Sequence, residues 1–195
     1  MYPSHRLHYR VNFPKSPTMQ QASWKAHLSA TGGLIGGPHS FLYVVGREHA
    51  SARLTLELPS GWKVATGLAR AGASHTYTAA DVESLIDSPV MVGLFRDWHF
   101  LIDGVPHDVA LLGVPGGIRF DTSLFVANVE RIAREAAPVF LKMPYCRYQF
   151  LFEDGAFGGF EHLNSVSIGI QSATLVRDPN DYLGQIGPRV RPHVE

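Results

Sequence analysis

The sequence predicts an α+β fold, in which a β-rich N-terminal layer is followed by a mixed sheet with one long helix. Before residue 79, four stretches alternate apolar and polar residues with the period of a strand. Between residues 122 and 141, apolar residues recur instead with the period of a helix. The 19 glycines and 13 prolines are spread through all 195 residues, which is typical of many short elements joined by turns.

The N-terminal region, residues 1–78, is predicted to form an antiparallel β layer. Its strand-like stretches are rich in β-branched and aromatic residues and are bounded by Gly or Pro; they are RLHYRVNF, SFLYVV, ARLTLELP and WKVATGL. A short helix is then predicted over AADVESLI, because Thr78 is followed three residues later by Asp81 in a helix-start pattern. This change of pattern divides the chain into residues 1–78 and residues 79–195.

The second region is predicted to alternate strands with the long helix. VMVGLF, WHFLI and DVALLGV are read as strands before the helix, and RYQFLF and SVSIGI as strands after it. Asp121 or Thr122 is the expected N-cap, and Pro138 is expected to kink or end the helix because it lacks an amide hydrogen. The predicted apolar face of the helix consists of Phe125, Val129, Ile132, Ala136 and Phe140. A last helix is predicted to start at Asp178 and Pro179.

Composition excludes several classes of function. Seventeen basic and 17 acidic residues give zero formal net charge without a long basic run, so nucleic acid is not an expected partner. No run of 18 apolar residues occurs, which predicts a soluble, non-exported, cytoplasmic protein with no membrane partner. The single cysteine, Cys146, excludes an internal disulfide and is expected to be part of a strand core rather than a nucleophile.

Three candidate sites are better explained without chemistry. The glycine pairs at residues 32–33 and 36–37 lack the lysine and the following helix of a phosphate loop. His107 and Asp108 are neighbours that would point to opposite faces of a strand, so His107 is expected in a turn. Glu48 and His49 are expected in a solvated loop, and no serine has the G-x-S-x-G setting of a hydrolase nucleophile.

The stretch GGFEHLNS is the more specific candidate. Its glycine pair allows the backbone to approach a ligand closely, and Glu161 follows immediately. A glutamate at a strand edge beside a cleft can hold a substrate ammonium through charge-assisted hydrogen bonds, although a solvated turn carboxylate is the commoner outcome. The predicted substrate-binding residues are Gly158, Gly159, Phe160, Glu161 and His162.

Five segments in order resemble the glycyl aminopeptidase family of zinc metallopeptidases, which are gluzincins that often carry a PDZ domain. The segments are SLIDSPVMVG, GVPHDVALLG, MPYCRYQFLF, GGFEHLNSVSI and LVRDPNDYLGQIG, and the similarity covers about residues 25 to 187. The resemblance implies that the β-rich region leads into the start of a thermolysin-like domain that removes N-terminal Gly or Ala. It also implies that Glu161 holds the free amine of the substrate, with His162 beside it.

The sequence departs from this family at the zinc site. Zinc is the expected cofactor, yet none of the ten histidines is followed by glutamate, so the H-E-x-x-H motif is absent. RVRP near the end resembles a segment that follows the zinc helix in the family, which indicates a deletion between them. We therefore expect no bound cofactor, no metal ligand and no catalytic residue, as in a truncated pseudoenzyme.

Three functions remain open from the sequence. The first is a metallopeptidase-like fragment that keeps a cleft for peptide N-termini but does not hydrolyse peptides. The second is an active peptidase or esterase rebuilt around Glu161 and His162, with His193 and Glu195 nearby. The third is a self-associating module, most simply a homodimer, because the apolar faces of RYQFLF and SVSIGI would lack their usual cover.

Overall fold

The computed structural model describes residues 6–13, 22–72, 74–113, 119–140 and 143–177. The predicted α+β class is confirmed: strands dominate the described chain, the sheets are open, and one helix is much longer than the others. The helix predicted from Asp178 onward lies outside the described residues, as do His193 and Glu195.

The N-terminal region forms two antiparallel sheets. The larger has the order β1-β2-β7-β4 and consists of β1 (His27–Leu28), β2 (Gly32–Ile35), β7 (Val90–Gly93) and β4 (Lys63–Thr66). The smaller has the order β3-β6-β5 and consists of β3 (Ala52–Thr55), β6 (Thr76–Ala79) and β5 (Ala69–Arg70). Strand β7 pairs with β2 and β4 although it lies beyond residue 78, so the structural N-terminal region, as the term is used from here on, extends through α2 and Asp87 to the end of β7 at Gly93.

Two short helices accompany these sheets. Helix α1 (Gly37–Ser40) begins at the second glycine pair, where no helix was expected, with Pro38 in its first turn. Helix α2 (Val82–Ile86) confirms the predicted helix, and its N-cap is Asp81, which accepts a hydrogen bond of 2.7 Å from the Ser84 amide. The cap therefore lies at the acidic end of the start pattern rather than at Thr78.

Two predicted strands are wrong. Residues 6–13 have no regular structure, and SFLYVV becomes the end of α1 followed by an irregular loop. Residues 42–45 of this loop are exposed, so their apolar alternation does not mark a buried face. A strand needs a neighbouring strand to satisfy its backbone groups, and the alternation of a short segment does not reveal whether one is available.

The second region is a mixed five-stranded sheet with the order β11-β12-β10-β9-β8. Its strands are β8 (Arg96–Ile102), β9 (Val105–Leu112), β10 (Tyr148–Asp154), β11 (Gly159–Glu161) and β12 (Ser165–Ile170). Strands β9, β10 and β12 run parallel, and the edge strands β8 and β11 pair in antiparallel fashion. Helix α4 (Ser172–Arg177) follows β12.

Helix α3 (Thr122–Ala136) is the predicted long helix. The Asp121 side chain caps it by accepting hydrogen bonds from the amides of Ser123 and Leu124, at 2.9 and 3.0 Å. Pro138 lies in a 3₁₀ turn, Ala137–Val139, in which the helix ends as expected. Phe125, Val129 and Ile132 are buried against the sheet.

Both faces of the mixed sheet are covered. One face packs on α3, where Phe150, Phe152 and Ile168 join the main core. The other packs on the larger N-terminal sheet, where Leu151 and Leu112 meet Leu34 and Met91. All six residues of β12 are buried, so the expectation that SVSIGI and RYQFLF present open apolar faces is wrong. The larger N-terminal sheet covers the second face of the mixed sheet. From the sequence alone, segments absent from this chain were expected to be needed for this.

Candidate functional site

The predicted site residues form the outermost strand of the mixed sheet. Gly159, Phe160 and Glu161 make up β11, whose one partner strand among the described residues is β12, and Gly158 precedes it with a φ of +79°. A Cβ atom at Gly158 would lie 2.7 Å from Cζ3 of Trp24. Gly158 therefore meets two requirements, since it adopts a left-handed conformation and leaves room for the indole ring.

Glu161 shares a face of the sheet with residues of the main core. It is paired with Val166, and directly opposed residues of neighbouring strands point to the same face. Its carboxylate lies close enough to the Tyr148 phenol to affect it: burial raises the pKa of Tyr148, and Tyr145 and then Glu161 raise this pKa further. Glu161 is half-buried, so its side chain is still reached by solvent.

A buried histidine supports these phenols. His107 lies on β9 rather than in a turn, so the turn prediction is wrong; its ring stacks on Phe100 and Phe150. Its Nδ1 donates to the carbonyl of Val105 at 2.9 Å, which leaves Nε2 to accept from the Tyr145 hydroxyl at 3.3 Å. Burial lowers the pKa of His107, which favours this neutral form.

His162 is held by the N-terminal region. Its Nδ1 donates to Oδ1 of Asp87 at 3.0 Å, while the Leu163 amide donates to Oδ2 of the same carboxylate at 2.8 Å. Burial would raise the pKa of Asp87, but these bonds outweigh burial and lower it. Among the described residues, Nε2 of His162 is buried and has no hydrogen-bond partner. His162 thus contacts Asp87, while Glu161 interacts with Tyr148, and the two side chains do not form a joint acid–base pair.

Phe160 belongs to an aromatic cluster on the side of β11 that faces the N-terminal region. The ring of Trp24 lies 6.1 Å from that of Phe160 and 6.3 Å from that of Phe157. Ser23 fixes the neighbouring backbone, because its hydroxyl lies 3.2 Å from the carbonyls of both Gly158 and Ser167. Phe160 is 48% exposed, so part of this cluster faces solvent.

The remaining candidates from the sequence have structural or solvated positions. Cys146 is exposed and precedes β10, so its prediction as a core residue is wrong. Asp108 binds Arg147 at 2.7 Å and His99 at 3.0 Å, as a surface ion cluster. Glu48 and His49 lie in an exposed loop, as expected.

Asp87, Trp24 and Tyr148 were not predicted as site residues from the sequence. Asp87 and Tyr148 fall within segments that resemble the peptidase family, which was the available signal, but nothing local assigned them a partner.

The described residues do not provide a zinc site. No group of three or more His, Cys, Asp or Glu side chains in this part of the chain could hold a metal ion. These described residues therefore offer no fitting ligand set for the zinc of the resembled family. In the same residues, every helix is too short or too polar to cross a membrane.

Comparisons with known proteins agree with this architecture. Residues 3–94 match the family model of the Peptidase M61 N-terminal domain. The crystal structure of an aminopeptidase N family protein from Idiomarina loihiensis is similar with a TM-score of 0.72 at 29% identity, over 80% of this chain and 27% of that one. No curated protein matches the chain.

Two further structures are more distant. An M1 zinc metallopeptidase from Deinococcus radiodurans has a TM-score of 0.46 at 13% identity, over 74% of this chain and 37% of its own. A mutant of an M1 zinc metallopeptidase from that organism, bound to a Tyr-Ser-Ala substrate, has a TM-score of 0.47 at 14% identity, over 82% and 39%.

The similarity to the Idiomarina loihiensis protein covers only part of that protein. The chain spans only 27% of the length of the Idiomarina loihiensis protein, and the family model ends at residue 94. The resemblance to a zinc aminopeptidase family is confirmed as a partial match: the first half of the chain matches the Peptidase M61 N-terminal domain, and the chain folds like part of an aminopeptidase N family protein.

Proposed function

We propose that this chain is an aminopeptidase-related unit that binds the free N-terminus of a peptide through Glu161. The observation that carries the proposal is the placement of Glu161 on an edge strand, half-buried, on the face of the sheet whose core includes the neutral phenol of Tyr148. Among the described residues, no basic side chain forms a salt bridge with it. A carboxylate in this position can accept hydrogen bonds from an ammonium group.

Binding without hydrolysis is the second part of the proposal. The sequence contains no H-E-x-x-H motif, and the described residues hold no metal-binding group. The chain would then act as a pseudoenzyme with a remnant cleft for peptide N-termini. The free and exposed thiol of Cys146 is compatible with a cytoplasmic location, which we include in the proposal.

The experiment compares a tripeptide amide with a free N-terminus and its N-acetylated form, by calorimetric titration. We expect the free amine to bind about tenfold to a hundredfold more tightly, because a hydrogen bond to a charged group contributes about 1.5–3 kcal/mol. Glu161→Gln should abolish this preference, since it keeps the side-chain shape and removes the charge. Glu83→Gln alters an exposed glutamate on α2 and serves as the control. Equal affinity of the wild-type protein for both peptides would refute the proposal.

Self-association stays a prediction. The buried faces of β10 and β12 remove its original reason, and we do not assign it a surface.

A further inference from the structure

We infer that Asp87 is a positioning residue for the amine site, so that the N-terminal region sets the orientation of Glu161. The inference rests on the proposed function of Glu161. It concerns the segment 157–164, which contains β11 and the turn that follows it. The N-terminal region contacts this segment at three places, through residues 22–24, Gly67 and Asp87.

Strand β11 has little regular structure of its own to fix it. It has three residues, and in the part of the chain that the structure describes it is the edge of the sheet and pairs with β12 alone. After Glu161 the backbone turns, and the amide of His162 donates to the carbonyl of Ser165 at 2.8 Å. A short edge strand that is paired on one side opens easily, so contacts from outside the sheet determine how well Glu161 is held.

Asp87 supplies the contact nearest to Glu161. As the C-cap residue of α2, it uses both carboxylate oxygens on the two residues that follow Glu161, the His162 side chain and the Leu163 backbone. The His162 side chain is only 9% exposed, so this bond is shielded from water. Two charge-assisted bonds on consecutive residues fix both the position and the rotation of the backbone at the end of β11.

The other two contacts hold the two ends of the segment. Before β11, the Ser23 amide donates to the carbonyl of Phe157 at 3.0 Å, and Trp24 packs on Gly158. After it, the Asn164 side chain donates to the carbonyl of Gly67 at 2.8 Å. A Cβ atom at Gly67 would lie 2.1 Å from Oδ1 of Asn164, so a larger residue here would displace the Asn164 side chain from this position.

These contacts act on Glu161 from the opposite face of the strand. Phe160 and His162 point toward the N-terminal region, where they meet Trp24 and Asp87, while Glu161 points to the face of Tyr148. Asp87 therefore does not touch the ligand in the proposed site. It orients the carboxylate that does, and displacement of a binding group by about an ångström is enough to reduce its effect severalfold or more.

The experiment uses the full chain with Asp87→Ala, and Asp81→Ala as the matched control. Asp81 caps the other end of the same helix, so its loss weakens α2 without touching the segment 157–164. Two quantities are measured: hydrogen exchange of the amides of residues 159–163, and the preference for the free over the acetylated tripeptide amide. Asp87→Asn keeps the shape and one acceptor oxygen, and it serves if the alanine variant does not fold.

We expect Asp87→Ala to reduce protection of the Leu163 amide and to lower the free-amine preference about tenfold. Asp81→Ala should leave this preference within about twofold of wild type. In the double variant with Glu161→Gln, Asp87→Ala should cause no further loss, because a positioning residue acts only through the group it positions.

Each outcome separates the two proposals. If Glu161→Gln removes the preference and Asp87→Ala does not change it, amine binding stands and the positioning role is wrong. If Asp87→Ala and Asp81→Ala reduce it equally, Asp87 contributes only general stability and the inference is also wrong. If Glu161→Gln has no effect, the proposed function fails, and the positioning role fails with it.

Discussion

Glu153 is an ionisable residue in a buried position that disfavours its charged form. It lies on β10 with 2% of its surface exposed, and among the described residues neither carboxyl oxygen has a hydrogen-bond partner. Nε2 of His27 lies 3.6 Å from its Oε2, which is too long for a hydrogen bond. Burial raises the pKa of Glu153 well above its usual range and lowers the pKa of His27. Both groups are thus driven toward their neutral forms.

Glu153→Gln should stabilise the protein, and the gain should grow with pH. The raised pKa means that the folded protein keeps a proton that the unfolded chain releases above about pH 4.3. In the wild-type protein, the contribution of protonated Glu153 to stability is complete below that pH and is lost as the pH rises toward the folded pKa of Glu153. The variant does not suffer this loss. Glutamine does not ionise and offers an N–H donor toward His27, whose Nδ1 donates to the Lys25 carbonyl.

The check is urea unfolding of both proteins at about pH 5 and about pH 8. Glu135→Gln, at an exposed position on α3, is the control and should show no such trend. A constant difference between wild type and Glu153→Gln would mean that Glu153 does not titrate as its burial indicates.

Residue-scale prediction from the sequence was good for local features and poor for distant ones. Glu161 could be selected because its glycine neighbours are adjacent in the chain. Asp87 could not, because its partner His162 is 75 residues away. The turn prediction for His107 is wrong because its imidazole is buried by stacking on Phe100 and Phe150, which periodicity does not reveal.

At the scale of elements, α3 was predictable because its signals agree with one another. Its apolar period, its N-cap at Asp121 and its end at Pro138 all lie within one continuous segment. The same holds for α2 and for the buried strands. Residues 6–13 and 40–45 have the composition of strands but pair with no strand among the described residues, and pairing is a property of the whole fold.

Asp121→Ala should lower the free energy of unfolding by about 1 kcal/mol. The Asp121 carboxylate satisfies two amides of the first turn of α3, which would otherwise lack intrahelical partners. Chemical denaturation measures the loss. Glu135→Ala, near the other end of α3, removes a carboxylate without removing a cap and should change the free energy by less than about 0.5 kcal/mol. Equal losses in both variants would contradict the capping role.

On the scale of the whole molecule, the mixed sheet joins the two regions through its second face. Leu151 and Leu112 lie in one core with Leu34 and Met91 of the N-terminal sheet. Asp87, Trp24 and Gly67 add contacts at the edge of the sheet. The sequence suggested two successive regions but could not show that one covers the other, because a buried strand does not specify what buries it.

Leu151→Ala therefore tests whether both regions unfold together. Leu151 is completely buried between them, so its truncation should cost about 2–5 kcal/mol and should lower the unfolding midpoint of both regions. Hydrogen exchange in increasing urea, followed by mass spectrometry, reports β7 and β12 separately. We expect their midpoints to coincide in the wild-type protein and to shift by the same amount in the variant.

Leu42→Ala makes the same chemical change at a residue that is 61% exposed and should shift neither midpoint appreciably. If Leu151→Ala lowered the midpoint of β12 while that of β7 stayed unchanged, the regions would be independent folding units. The N-terminal region could then not act as a rigid support for Glu161.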